Sequence, residues 1–317
     1  MKLHCIPILS ALFTSLVCFS NPATKISDNS PSSGIVIRWN DCEQTIDGFG
    51  IAQAGWAKEL FAFKNRKQVM DKMFGNDGLR LNILRGEIFP HYWENKEDKD
   101  FNLNDDINIE LCDSDFNNKS DDLLRRGQLW LTLEAKNKYH INKLVFSTWS
   151  APAWMKSNGK VSNGKLKPEC YQDFANYLAA FYKAYKSKGI TPYAISPSNE
   201  PGYAAPWNSS LWTADEMGKF ITSNLGPTFQ KENIPAKIIF GENPLWSVVM
   251  PQLKMVSSKD FTDTILQDYP EIKKFNLIAA GHGYSLSPDI MPIKVDKEYL
   301  KTPIIPFDAA EKAHIPV

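Results

Sequence analysis

What the sequence lacks narrows its chemistry first. No CxxC pair and no cysteine–histidine cluster occurs, so a structural zinc site is not expected. Neither sign of charge dominates, with Lys+Arg and Asp+Glu equal at 36 each, which removes the electrostatic argument for nucleic acid or an anionic membrane as partner. No segment is apolar for long enough to span a bilayer; the run at 6–19 (IPILSALFTSLVCF) is too short. The glycine-rich segment GFGIAQAG lacks the third glycine of a dinucleotide-binding turn at the required offset. Zinc fingers, nucleic-acid binders, membrane-spanning proteins and Rossmann dehydrogenases thus drop out early.

What is present fits an exported, packed domain. The chain has 317 residues, 43% hydrophobic and 23% charged, with nine tryptophans. Lys2, the 6–19 run and the small residues around Ser20 have the order of a secretory signal peptide, predicting cleavage after Ser20. A lipoprotein anchor at Cys18 is disfavoured because Ser15-Leu16-Val17 lacks the small residue expected just before the cysteine. With Cys5 and Cys18 removed, Cys42, Cys112 and Cys170 allow one disulfide at most and leave a free thiol. Secretion or a periplasmic location follows from this expectation. Residues 21–33 (NPATKISDNSPSS) read as a flexible leader, and 34–45 as an N-terminal β segment around IVIRW.

From residue 46 a rhythm sets in. Apolar runs at 46–55, 79–88, 143–152, 191–201, 236–243 and 275–284 alternate with helix-period segments at 66–75, 122–139 and 170–189. In the last of these Phe174, Leu178, Phe181 and Tyr185 recur at helical spacing, and Gly189 stands where a C-cap belongs. Strand and helix in alternation predict a parallel sheet with right-handed crossovers, and a (β/α)8 barrel over 46–317. A doubly wound open sheet is the alternative. An acid-rich stretch at 94–122, with eleven acids against three lysines, interrupts the rhythm after the second strand. It reads as a solvated insertion that, in a barrel, rims the functional face.

The strand ends carry the chemistry. Arg85 and Glu87 end the second run, Trp149 and Trp154 follow the third, and Asn199-Glu200 closes the fourth before Pro201. Glu242-Asn243 ends the fifth, while His282 and Tyr284 end the sixth. Taken singly, each has a structural explanation in turns, core rings or a satisfied histidine. Together on the C-terminal mouth of a barrel they supply rings to stack on a sugar, donors for its hydroxyls and a carboxyl to protonate a leaving oxygen.

The block STWSAPAWMKSNGKVSNGKLKPECYQDFANYLAAFYKAYKSKGITPYAISPSNEP (147–201) resembles glycoside hydrolase family 30. IDGFG (46–50), LRLNILR (79–85), WTADEMGKFI (212–221) and AAGHGY (279–284) agree with it. The resemblance implies a retaining β-glycosidase on a (β/α)8 barrel, without a cofactor and without a metal. It implies Glu200 as general acid/base and Asn199 on the sugar 2-hydroxyl. Arg85 and Tyr284 orient a nucleophile, and Trp149, Trp154 and His282 line the substrate subsite. The nucleophile itself is expected on a seventh strand, beyond Val317, so that the 317-residue chain reads as a fragment, inactive by itself. Ser198 departs from the glutamine common before the Asn-Glu pair. The expected partner is a polysaccharide of the xylan, β-1,6-glucan or β-1,6-galactan type, acted on by a monomer. Two other readings stay open: a non-catalytic carbohydrate-binding barrel, and an open-sheet enzyme using Glu200 and Glu242 on a metal.

Overall fold

The computed structural model describes residues 46–53, 56–97, 127–245 and 256–283. The chain divides into two compact units, 1–46 and 47–317, and the architecture below is that of the second. The segment at 34–45, the acidic stretch beyond Glu97, Tyr284 and the expected helix and strand at 308–317 lie outside the described residues.

Six strands form one parallel sheet: β1 (Gly50–Ala52), β2 (Ile83–Ile88), β3 (Lys143–Thr148), β4 (Ala194–Ser196), β5 (Lys237–Asn243) and β6 (Leu277–Gly281). Their spatial order is their sequence order, β1-β2-β3-β4-β5-β6, and every pairing is parallel. A doubly wound sheet reverses its strand order part-way. This sheet does not, and it curls as part of a (β/α)8 barrel. The open-sheet alternative is thereby overturned.

Between the strands run α1 (Ala57–Ala62), α2 (Arg66–Phe74), α3 (Gln128–Tyr139), α4 (Tyr171–Ser187), α5 (Ala214–Phe220), α6 (Gly226–Lys231) and α7 (Ser258–Asp268). Helix α4 follows its sequence pattern. Phe174, Leu178, Phe181 and Tyr185 are all fully buried. Gly189 takes φ +81° and donates its amide to Lys186, while Ile190 donates to Tyr185, which closes the helix as its glycine predicted. Phe146 of β3 packs on this face, 5.2 Å from Phe181 and 4.8 Å from Tyr185 between ring centres. Helix α5 starts with a capping box in which Thr213 accepts from the Glu216 amide and Glu216 accepts from the Thr213 amide.

Gly86 in β2 shows why the sheet needs a bare backbone at one point. A Cβ there meets Phe146 Cε1 at 2.8 Å, Gln128 Oε1 at 2.9 Å and Gln53 Nε2 at 2.9 Å. We expect Gly86→Ala to cost about 1–3 kcal/mol by overpacking, read as a lowered melting temperature. An unchanged melting temperature contradicts the close approach of Gln128.

Candidate active site

The local backbone answers what SPSNEP is for. Past the last rung of β4, the Asn199 amide donates to Thr148 O of β3 at 2.7 Å, and the Glu200 amide turns the other way to Glu242 O of β5 at 3.0 Å. Glu200 adopts φ +51°, a left-handed conformation that costs a side-chain-bearing residue energy. The two neighbouring side chains are thus sent in different directions. Glu242 has φ +43°, at the point where the β5–β6 register slips between Gly241 and Asn243. Such a bulge re-aims one side chain, and here it turns a glutamate into the barrel. The His282 amide, donating to Asn243 O at 2.9 Å, extends the β5–β6 pairing by one step.

Arg85 is the hub. Its Nη2 donates to Asn199 Oδ1 at 2.7 Å and Glu242 Oε1 at 2.9 Å, and its Nε donates to Ser147 Oγ at 3.2 Å. The guanidinium carbon lies 4.6 Å from the centre of the Trp149 ring, a cation–π contact that fixes both groups. The Glu242 side chain is 5% exposed. Ser147 Oγ lies 3.1 Å from both its oxygens, and Ser196 Oγ donates to Oε2. Burial alone pushes the Glu242 carboxyl up, but Arg85, His282 and Ser196 outweigh it and hold its pKa down at about 2. Glu242 is therefore an anion at neutral pH.

His282 stands between the two carboxylates. Its Nδ1 lies 3.0 Å from Glu200 Oε1 and its Nε2 3.8 Å from Glu242 Oε1. Burial and Arg85 disfavour the imidazolium, yet the two carboxylates outweigh them and raise its pKa above the ordinary value. Glu200, 8% exposed, thus sits on a histidine whose far nitrogen faces a fixed negative charge.

Of the residues singled out from sequence, Arg85, Trp149, Asn199, Glu200 and His282 come together. Trp154 stands one loop further out. Its Nε1 donates to Trp93 O at 3.1 Å, and the two indoles cross edge to face at 4.8 Å. Sequence reasoning missed Ser147 and Ser196, which the two-residue period of the strands places in line with the mouth. It also missed Lys156, fully buried, whose Nζ donates to Ser150 Oγ at 3.1 Å and Ser209 O at 2.6 Å and so ties the loops after β3 and β4 together. Trp207, in the loop after β4, is 54% exposed and meets Tyr203 at 6.3 Å between ring centres. Among the described residues no group of three or more His, Cys, Asp or Glu is arranged to hold a metal, and no helix is long and apolar enough to cross a membrane.

Comparison with known proteins bears on the family and the fold. Putative glucosylceramidase 3 of Caenorhabditis elegans is 30% identical over 251 residues, 76% of this chain and 45% of that protein. The endo-1,6-β-D-glucanase of Neurospora crassa is 28% identical over 237 residues, covering 69% and 45% of the two chains. An endo-β1,6-glucanase of known structure superposes with a TM-score of 0.61 at 23% identity, over 76% of this chain and 52% of its own, and so shares the fold. The chain spans about half the length of these relatives. Residues 46–274 match the glycosyl hydrolase family 30 TIM-barrel domain, a span that holds every strand end of the cluster except β6, and the chain therefore belongs to that family.

Proposed function

We propose that this chain carries the acid/base half of an exported retaining β-glycoside hydrolase that cuts a polysaccharide of the xylan, β-1,6-glucan or β-1,6-galactan type. The observation that carries the reading is the convergence of Glu200, Asn199, Arg85, His282 and Trp149 from four strand ends on one mouth. In this reading Glu200 protonates the leaving glycosidic oxygen and then takes a proton from the water that releases the sugar. Asn199, its Oδ1 engaged by Arg85, is left with its amide N–H groups for the sugar 2-hydroxyl. Trp149, steadied by Arg85, offers a ring face for the pyranose.

A retaining mechanism needs a second carboxylate about 5–5.5 Å from the acid. Glu242 is not that nucleophile. Arg85, Ser147 and Ser196 already occupy its oxygens, and a carboxylate stabilised this far is a poor attacker. Its role is to hold Arg85 and His282 in place. The nucleophile is the glutamate that the family resemblance sets on a seventh strand. No cofactor enters this mechanism, and the enzyme works as a monomer, with Trp154 completing the substrate contacts and Tyr284 orienting the nucleophile.

Reducing-sugar release from a panel of β-glucans, xylans and β-galactans tests the reading on the full-length protein. Hydrolysis of at least one polysaccharide is expected. Retained glycan binding without hydrolysis would favour the non-catalytic reading instead.

A further inference from the structure

Glu87 is a strand-end acid that the Arg85–Glu242–His282 cluster leaves unused, and the fold takes unusual care to place it. The β1–β2 pairing ends with the Gln53 amide donating to Arg85 O at 2.8 Å. Two residues on, the peptide groups of Glu87 point toward a neighbour strand that has already finished. The side-chain amide of Gln128, at the start of α3, takes the missing strand's place. Its Oε1 accepts from the Glu87 amide at 2.7 Å and its Nε2 donates to Glu87 O at 2.8 Å. Gln128 is itself buried and donates to Tyr185 Oη at 2.8 Å. Gly86 is what lets it approach so closely. Unpaired strand groups facing water need no such device.

The side chain so positioned points along the Arg85 face, because residues two apart on a strand share a face, and it lies one step closer to the mouth. It is half-buried, and the Asn208 side chain, in the loop after β4, favours its ionised form. That loop is held in turn. Asn208 bridges to Ser162, and Ser209 Oγ accepts from the Asn163 amide at 2.9 Å. Glu87 thus stands near the end of β2 with its backbone fixed by Gln128, and Asn208 belongs to a loop that is itself anchored.

We propose that the Glu87 carboxyl, set on the Arg85 face of β2 by the Gln128 brace, is a specificity determinant that hydrogen-bonds a hydroxyl of the glycan bound at the Glu200 site. The proposal rests on the glycosidase reading of that site. A carboxyl on a backbone held in place before binding recognises a polar group at reduced entropic cost, and a sugar lacking that hydroxyl leaves it desolvated and unsatisfied. The protonation state suits the task. Burial raises the Glu87 carboxyl, and although Arg85 and Asn208 pull it down, its pKa settles at about 8. Arg85, on its own strand, is the charge that acts on it. Asn208, Ser147 on β3 and Gln128 on α3 are neutral, and Gln128 meets its backbone. At neutral pH the carboxyl keeps an O–H to donate. Bound sugar strips the remaining water from it, which costs the ionised form more than the neutral one.

The test is the pH dependence of KM for the best polysaccharide, measured on the full-length protein from pH 6 to 9.5 with wild type, Glu87→Gln and Glu87→Ala. Wild-type KM is expected to rise about tenfold as pH passes through 8, with kcat changing far less, since about one hydrogen bond to the bound sugar is lost. The glutamine variant keeps a donor and an acceptor without titrating, so its KM should stay near the wild-type neutral value across the range. The alanine variant should show the raised KM at every pH. If alanine does not fold, the isosteric glutamine still decides. An alkaline rise in KM that persists in Glu87→Gln overturns the proposal, as does an alanine variant with wild-type KM. Failure of the wild type to bind or cut any glycan overturns the glycosidase reading with it, so the two failures are told apart by the wild type alone.

Discussion

Glu200→Gln in the full-length protein is expected to slow hydrolysis of polysaccharide by about 10²–10⁴-fold, the usual worth of a positioned general acid. The loss should depend on the leaving group. A natural glycan leaves as an alkoxide unless protonated, so the first chemical step needs the acid in full. An activated aryl glycoside leaves as a weakly basic phenolate, and its glycosylation step should fall far less. The geometry adds a further expectation. Glu200 is in contact with His282 at 3.0 Å, and the glutamine amide keeps a group of the same shape there, so the protein should retain its fold. Comparing kcat/KM for both substrate types, with the melting temperature as control, checks this. Equal losses on both substrates remove Glu200 from the acid role.

Glu242→Ala should have the other large effect, on stability and rate together. It leaves Arg85, 20% exposed, without its buried counter-charge, and breaking a buried pair from one side costs about 3–5 kcal/mol. It also frees Trp149, Asn199 and His282 from the arrangement that Arg85 and the carboxylate impose, so activity should fall although Glu200 is intact. The pH dependence of stability gives a separate signature. The folded carboxyl sits at about 2, below its ordinary value of 4.5, so its stabilising contribution is complete above pH 4.5 and is lost as pH falls toward 2. That contribution is on the order of 3 kcal/mol. Acid unfolding followed by circular dichroism should show this loss in the wild type and a flatter curve in Glu242→Ala. A variant with wild-type melting temperature and acid sensitivity would show that the anion does not support the site.

The comparison of sequence and structure divides by the range of the interactions involved. The order of the strands, helix α4 and its glycine stop were legible because they rest on local periodicity and backbone preference. So were Arg85, Asn199, Glu200 and His282 as candidates, since each is a polar residue where an apolar strand ends. The short helices α1, α5 and α6 were not legible. They are six or seven residues long, too short for a helical period to stand out, and packing rather than propensity holds them.

The pairing within the site was decided by the tertiary structure alone. Nothing in GEN told that Glu242 turns inward, because its direction comes from a register slip against β6 and a left-handed φ that only neighbouring strands enforce. Nothing near Gln128 told that its amide stands in for a strand, since its partner Glu87 is 41 residues earlier. Lys156 reads as a surface charge in WMKSNG, yet two loops close over it. The sequence by itself determined the alternation of elements and which residue types reach the mouth, because those are properties of neighbours along the chain. Which carboxylate is held as an anion and which one meets the histidine depend on charges and hydrogen bonds brought from five strand ends, and these exist only once the sheet has curled.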